Sequence, residues 1–468
     1  MDNTKKMGLP SGVAVCVGLI VATSCLLSLG QGIGLAGPMF VIPLLAVVIL
    51  NGFIALSFAE LHSLMPGVNG GLGQYTMVGL GPFASIITNI SAYVIVSILA
   101  GAAEVAMCGM VLNSIFHQVP SIVFSMGILL ILFATNLRGV DVFSKIQNVV
   151  AFTLVGSMLT MGIVGFFKLG TGTPIAKAAM ETPAITGVGS LMGLAALAFW
   201  LFIGVEFIIP VSKNLKNAKR NVLLSMILAL VTLFVVQAIL GTGMANYVPL
   251  STLSGSEMPH MAYAEAVLGT PGKIWMGIVT CLAAVSTMNT LFPSVGAIMQ
   301  GMAEEGMLPK VFARTNKKDV AYAGMALLVI CNITLNLTGF VNKSGLVTLI
   351  LAASCFWLTA YIFTHATVLV LRRRHPNAPR NKYMVAFGIP QIIGIVGNIY
   401  MIWNISSDMA SRLEIYKIFG ILFVALAVFA GLWVKFVMKK NLFEPTSIDE
   451  ISNIDEEESV VVEFKRAA

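Results

Sequence analysis

The sequence predicts an all-α polytopic membrane protein with twelve transmembrane helices, arranged as two five-helix halves followed by two further helices. Three observations predict it. Hydrophobic residues make up 57% of the 468 residues and charged ones only 10%, with mean hydropathy +0.91, whereas soluble domains carry about 25% charged residues. The apolar residues fall in repeated solid runs of about 20, the length that crosses a bilayer as a helix; a β-barrel would show short alternating segments. Two runs are interrupted at corresponding places of the two halves, at Gly18 to Cys25 and at Trp200 to Glu206. An apolar span carries small, polar or acidic interruptions where it lines a cavity, and a matched pair points to a site at the membrane midplane.

The expected spans run 12–36, 38–65, 81–115, 119–136, 141–168, 187–212, 219–245, 270–303, 320–340, 344–372, 383–406 and 413–438. The third and eighth are long enough to require tilt. Gly70 to Tyr75 starts a short segment expected to lie along the membrane surface, and 246–269 forms a longer loop with Pro249, Pro259 and amphipathic turns. The chain thus divides into an N-terminus (1–11), a first five-helix repeat (12–168), a second, inverted repeat (187–372), two additional helices (383–438) and an acidic tail (439–468). The first apolar run leads directly into further spans without a small-residue cleavage pattern, so a cleavable signal peptide is not expected.

Charge sets the orientation. With both termini cytoplasmic, every Lys and Arg except Lys168, Lys177, Lys273, Lys343, Arg412 and Lys417 falls on the cytoplasmic side, as the positive-inside rule requires. That asymmetry accounts for the net charge of +7 without nucleic acid as a partner. The tail, with Asp455 to Glu458, reads as a solvated segment. The six cysteines lie inside apolar runs without CxxC spacing, so neither a disulfide framework nor a metal site is expected. Gly30-Gln31-Gly32-Ile33-Gly34 sits in an apolar span and follows no strand, which fits close helix packing rather than a phosphate loop. Nothing in the chain calls for a cofactor, and no nucleophile–base pair or metal motif suggests an enzyme.

A broken helix in lipid leaves backbone donors and acceptors that a ligand can satisfy. N–H groups at the start of a half-helix, with its positive dipole end, suit a carboxylate, which places one on Val21, Ala22, Thr23, Ser24 and Cys25. Carbonyls near Ile20 and around Phe199, Trp200 and Phe202 suit an ammonium group. Glu104 and Glu206 lie deep within spans, where an acid faces a cavity or is protonated; both are candidates for proton coupling or gating. Trp200 can cover a bound cation, and Trp357 of the tenth span is a second candidate for that cover. The Ala-x-x-Ser-Thr pattern of Ala283, Ser286 and Thr287 resembles a place where related folds bind sodium, through oxygen ligands that suit a hard cation.

These residues carry a family resemblance. The chain resembles the amino acid–polyamine–organocation transporters from about Gly12 to Lys440, through Gly18 to Ser24, Ala59-Glu60-Leu61 before Pro66, Trp200 to Glu206 followed by Leu215 to Asn221, and Glu304 to Pro309 with Phe312 to Lys317. The resemblance implies the LeuT-like 5+5 inverted-repeat fold and transport by alternating access. The Trp-to-Glu motif is similar to that of bacterial arginine–agmatine and ornithine–putrescine exchangers, which implies substrate cover for Trp200 and proton sensing for Glu206. The chain departs from them in having Leu291 where they carry a tryptophan and Ala100 near a substrate-binding asparagine; Leu154 stands near a lysine of other members. The expected function is secondary transport of an amino acid or related amine across the plasma membrane of a bacterium, by exchange or proton coupling. The alternatives are a sodium-coupled symporter and a membrane nutrient sensor that binds without transport. Expected partners are the small-molecule substrate, the lipid bilayer, and a proton or sodium ion.

Overall fold

In hydrocarbon every backbone N–H and C=O needs a partner inside the protein, so the apolar runs fold as helices and break only where other groups serve the freed backbone. The protein is seen here in a computed structural model that describes residues 7–66, 72–139, 147–176, 179–209, 212, 215–341, 345–378 and 386–448. Gly70, Gly71, the acidic run 455–458 and several of the basic residues that set the expected orientation lie outside the described residues.

The first half opens with α1 (Leu9–Ile20), which has Pro10 in its first turn, and α2 (Thr23–Ala36). Between them Val21 and Ala22 are extended (φ −75°, ψ 104° and φ −119°, ψ 164°). A 3-10 turn over Gly37–Phe40 leads to α3 (Val41–Leu64). Then come α4 (Leu72–Leu80) and α5 (Pro82–Asn89), and α5 continues through a π-helical turn at Ile90–Ile95 into α6 (Val96–Ile115). α7 (Ser121–Leu137) and α8 (Gln147–Phe166) complete this half. In α4, Leu72, Tyr75, Thr76, Met77 and Val78 are buried, because the helix packs against α5 and against a later helix of the second half.

The second half is less regular. The expected span 187–212 is, over its described residues, two single turns, α9 (Val188–Met192) and α10 (Ala195–Phe199), then 3-10 turns at Trp200–Phe202 and Val205–Ile208. α11 (Ala218–Tyr247) follows. The expected loop 246–269 is itself largely helical. It holds α12 (Leu250–Gly255) and the start of α13 (Pro259–Glu304), which kinks at Gly269 (φ 65°, ψ −150°) just before Pro271. α14 (Tyr322–Leu337), α15 (Gly345–Arg374), α16 (Ile389–Trp403) and α17 (Met409–Leu432), with a π turn at Trp433–Val437, end the described chain.

Among the described residues, six helical stretches are long and apolar enough to cross a membrane, and six shorter apolar helices accompany them. Their burial sorts them into layers. The most apolar windows of Pro82–Ile115 and Gly345–Arg374 are 83% buried inside the protein, whereas that of Met409–Val437 is 17% buried. α6 and α15 therefore stand in the middle of the bundle, and α17 turns Ile421, Val424, Val428 and Leu432 outward toward lipid. α11 packs on α8, α3 and α1, and α13 packs on α6. Close approach accounts for the glycine run of α2: a Cβ on Gly34 would collide with the backbone of Ser254 in α12. Where α3 meets the end of α15, the fully buried Glu60 accepts bidentate hydrogen bonds from Arg372 (Nε 2.9 Å, Nη2 2.6 Å).

Candidate functional site

The first break is held by a side chain from another helix. Glu104 of α6 accepts from the backbone N–H of Thr23 (3.0 Å) through one carboxyl oxygen and from that of Ser24 (2.8 Å) through the other. The Cys25 N–H bonds to Ala22 O (3.1 Å) within its own turn. The first three N–H groups of α2 are thus all engaged. A carboxyl group here is favoured by charge-assisted hydrogen bonds and by the roughly +0.5 charge of the helix N-terminus. On the acceptor side, Ile20 O takes the Cys25 thiol at 3.4 Å and Trp200 O takes the same thiol at 3.7 Å, and a thiol is a weak donor. The Thr23 hydroxyl donates to Thr280 O (3.0 Å), fixing α2 against α13.

The second break turns on Gly204. Ile203 is extended (φ −73°, ψ 140°), and Gly204 is left-handed (φ 103°, ψ 16°), a conformation that suits glycine. The freed carbonyls are met by two amides from neighbouring helices. Gln237 Nε2 of α11 donates to Leu201 O (3.0 Å), and Asn51 Nδ2 of α3 donates to Phe202 O (3.0 Å). Glu206 accepts from Trp357 Nε1 (3.0 Å) and from the Tyr361 hydroxyl (2.8 Å), both on α15. Trp200 Nε1 donates to Ser24 Oγ (2.8 Å), so the two breaks are joined directly.

A cavity of about 100 Å³ lies at this junction. Gly18, Ile20, Ala22, Ser24, Cys25 and Trp200 line it from the breaks; Ala92, Tyr93, Val96, Ser97, Ala100 and Glu104 from the third helical path; Ile203 and Phe207 from beyond the second break; Ser286, Thr287, Leu291 and Val295 from α13; and Trp357 from α15. Tyr93, Phe207 and Trp357 form one aromatic wall, with ring centroids 5.9–6.5 Å apart. The π turn in α5–α6 places Ala92 and Tyr93 in that lining, and such turns recur at functional sites. Among the described residues, none of those lining the cavity is Lys, Arg or His, and Glu104 is its one carboxyl side chain.

The structure sorts the expected site residues. It brings Ile20, Ala22, Ser24, Cys25, Trp200, Glu104, Trp357, Ser286 and Thr287 to the cavity. Four stand apart. Phe199 is buried against Tyr361 (centroids 5.8 Å) and Phe202 is fully buried in the core. Thr23 turns its hydroxyl to Thr280, and Ala283 is buried outside the lining. Glu206 lies behind Trp357 rather than in the wall. The freed backbone groups have partners within the chain. The N–H groups of Thr23 and Ser24 face the carboxyl group of Glu104, and the carbonyls of Leu201 and Phe202 face Gln237 and Asn51.

Tyr93, Phe207, Asn51, Gln237 and Tyr361 were not legible as site residues. Asn51 and Gln237 did carry a signal, since an amide inside an apolar span is expensive unless it serves a partner. The aromatic residues carried none, because a ring in an apolar run looks the same facing lipid, core or cavity.

Helices broken at matched places around one cavity define a multi-pass membrane transporter. The comparisons with known proteins agree. The chain belongs to the family described as "Amino acid permease", whose sequence model matches residues 7–431. It is 26% identical over 341 residues to the L-asparagine permease of Salmonella typhimurium, covering 70% of this chain and 67% of that protein. It is 22% identical over 378 residues to the putrescine transporter PotE of Escherichia coli, covering 80% and 84%. Among solved structures, the fold is similar to a mutant of the Eremococcus coleocola manganese transporter (TM-score 0.58, 16% identity) and to the same transporter bound to an aromatic bis-isothiourea compound (TM-score 0.60, 14% identity). Each similarity covers 91% of this chain and 94% of the other. The fold is thus the LeuT-type inverted repeat expected from the sequence.

Proposed function

We propose that this protein is a plasma-membrane secondary transporter for an amino acid or related amine, working by exchange or proton coupling with its termini in the cytoplasm. The observation that carries the reading is the convergence of both breaks on one cavity, joined by the Trp200–Ser24 hydrogen bond. A unit linked this way can move as one body against the scaffold helices, which is the motion alternating access needs. The two relatives, named for an amino acid and for a diamine, fit the same substrate range.

Glu206 is the proposed proton site. Its carboxyl group holds Trp357 Nε1 and the Tyr361 hydroxyl, and Trp357 is part of the cavity wall. A proton gained or lost there changes what Trp357 can donate to, so the wall registers the change. Two experiments test the reading. Purified protein in liposomes preloaded with a substrate should take up the labelled compound faster than empty liposomes do. A panel of amino acids and amines giving no flux under any ion gradient would sink the proposal. Glu206→Gln, which keeps the hydrogen-bonding shape, should flatten the dependence of flux on pH; an unchanged pH profile removes the proton role.

A further inference from the structure

The first break has a feature that bears on substrate class, resting on the transporter reading above. In a site of this geometry the backbone N–H groups at the start of α2 are the natural holders of a substrate carboxylate. Here they already hold one, the side chain of Glu104, which is 1% exposed and bonded through both oxygens. We propose that Glu104 is a built-in carboxylate, and that the cavity takes a primary amine that has an apolar body and no carboxylate of its own.

Three further observations support this. An α-carboxylate entering the cavity would meet the Glu104 carboxyl group instead of its expected donors, and the lining offers no basic side chain among the described residues to neutralise it. The ammonium end, by contrast, finds acceptors. A carboxylate has about four lone-pair positions; the backbone N–H groups of Thr23 and Ser24 take one on each oxygen, and the neighbouring hydroxyls of Thr23 and Ser24 share the rest with an incoming donor. Ile20 O and Trp200 O accept weak thiol bonds from Cys25, which an ammonium N–H can displace. The rest of the lining combines neutral hydroxyls, among them Ser97, Thr287 and Ser294, with an apolar and aromatic wall of Val96, Leu291, Val295, Phe207 and Trp357. It suits a hydrocarbon or aromatic body better than a second charge.

The test compares compounds that differ by the carboxylate alone, phenethylamine with phenylalanine and isopentylamine with leucine, as competitors and as labelled substrates of the full-length protein in liposomes. In the wild type each amine should compete at least about tenfold better than its amino acid, the ratio that one charge-assisted hydrogen bond made or lost would produce. Glu104→Ala frees the Thr23 and Ser24 N–H groups and should narrow or reverse that ratio in favour of the amino acid. Glu104→Gln preserves the shape and one accepting oxygen; it should lower amine affinity by a similar factor, and it decides the matter if the alanine variant does not fold. Wild-type uptake of phenylalanine or leucine as good as that of their amines overturns the inference while leaving the transporter reading intact. An amine preference unchanged in the Glu104 variants overturns it as well. Absence of flux for every compound removes both.

Discussion

The two breaks occupy corresponding places in the inverted repeat and are built in opposite ways. The first is short: two extended residues, Val21 and Ala22, separate two α-helical segments of 12 and 14 residues. Its N–H donors are served by an acid from α6, while among the described side chains Ile20 O takes only a thiol from Cys25. The second is long: a left-handed Gly204 and two 3-10 turns replace regular helix, its unmet groups are carbonyls, and amides from α3 and α11 satisfy them. The contrast follows from helix polarity, since a helix start exposes donors and a helix end exposes acceptors. One break thus presents its positive end toward a carboxyl group inside the cavity. The other is braced from outside, which leaves Trp200 to face the cavity.

This difference is open to attack by substitution. Gly204→Val should have the largest effect, because a β-branched residue at φ 103° is strained and its Cβ would press on the Phe207 ring. A loss of about 1–3 kcal/mol from backbone strain alone should show as a lower melting temperature of the purified protein. Ala22→Ser, in ordinary extended backbone, should stay near wild type. Equal melting temperatures for the two variants would erase the distinction between the breaks. Next come the braces. Gln237→Ala and Asn51→Ala should each cost about 1–2 kcal/mol, the range for interhelical hydrogen bonds in membranes, with the deficit read in thermal unfolding. Stability unchanged in both would mean that the carbonyls of the second break find other partners.

The smallest effect is expected far from the breaks, at Asp408, which accepts from the Ser411 N–H (2.7 Å) at the start of α17. That hydrogen bond holds the exposed carboxyl below its usual range. A depressed folded-state value adds stability above the unfolded value and loses it as pH falls through the folded one. Asp408→Asn should therefore lower thermal stability slightly at neutral pH and make no difference in acid. A deficit that persists at low pH would assign the effect to packing instead.

The positions of both breaks were legible in the sequence because small and acidic residues inside an apolar run violate the composition of a lipid-facing helix. What served them was less so. Glu104 could be recognised as an acid out of place, but its target is 80 residues away in the chain, and the register of α6 against α2 is a matter of packing that one sequence does not display. For the same reason Phe199 and Phe202, adjacent to Trp200, read as site residues although their side chains turn into the core. Glu60 was visible near the end of its span and Arg372 within a basic cluster that sets orientation; their pairing across α3 and α15 was not. The π turn before α6 left no mark in composition, yet it sets Tyr93 in the cavity wall.

The central claim is that the two breaks hold one substrate between them, with Trp200 as the link. Its most direct measurement is counterflow into liposomes preloaded with the compound that competes best, for the wild type and for Trp200→Ala. The account predicts accelerated uptake by the wild type and a loss of at least about tenfold in apparent affinity for the variant, since the indole supplies both the cover of the cavity and the bond to Ser24. Counterflow with the same apparent affinity in both proteins would contradict it.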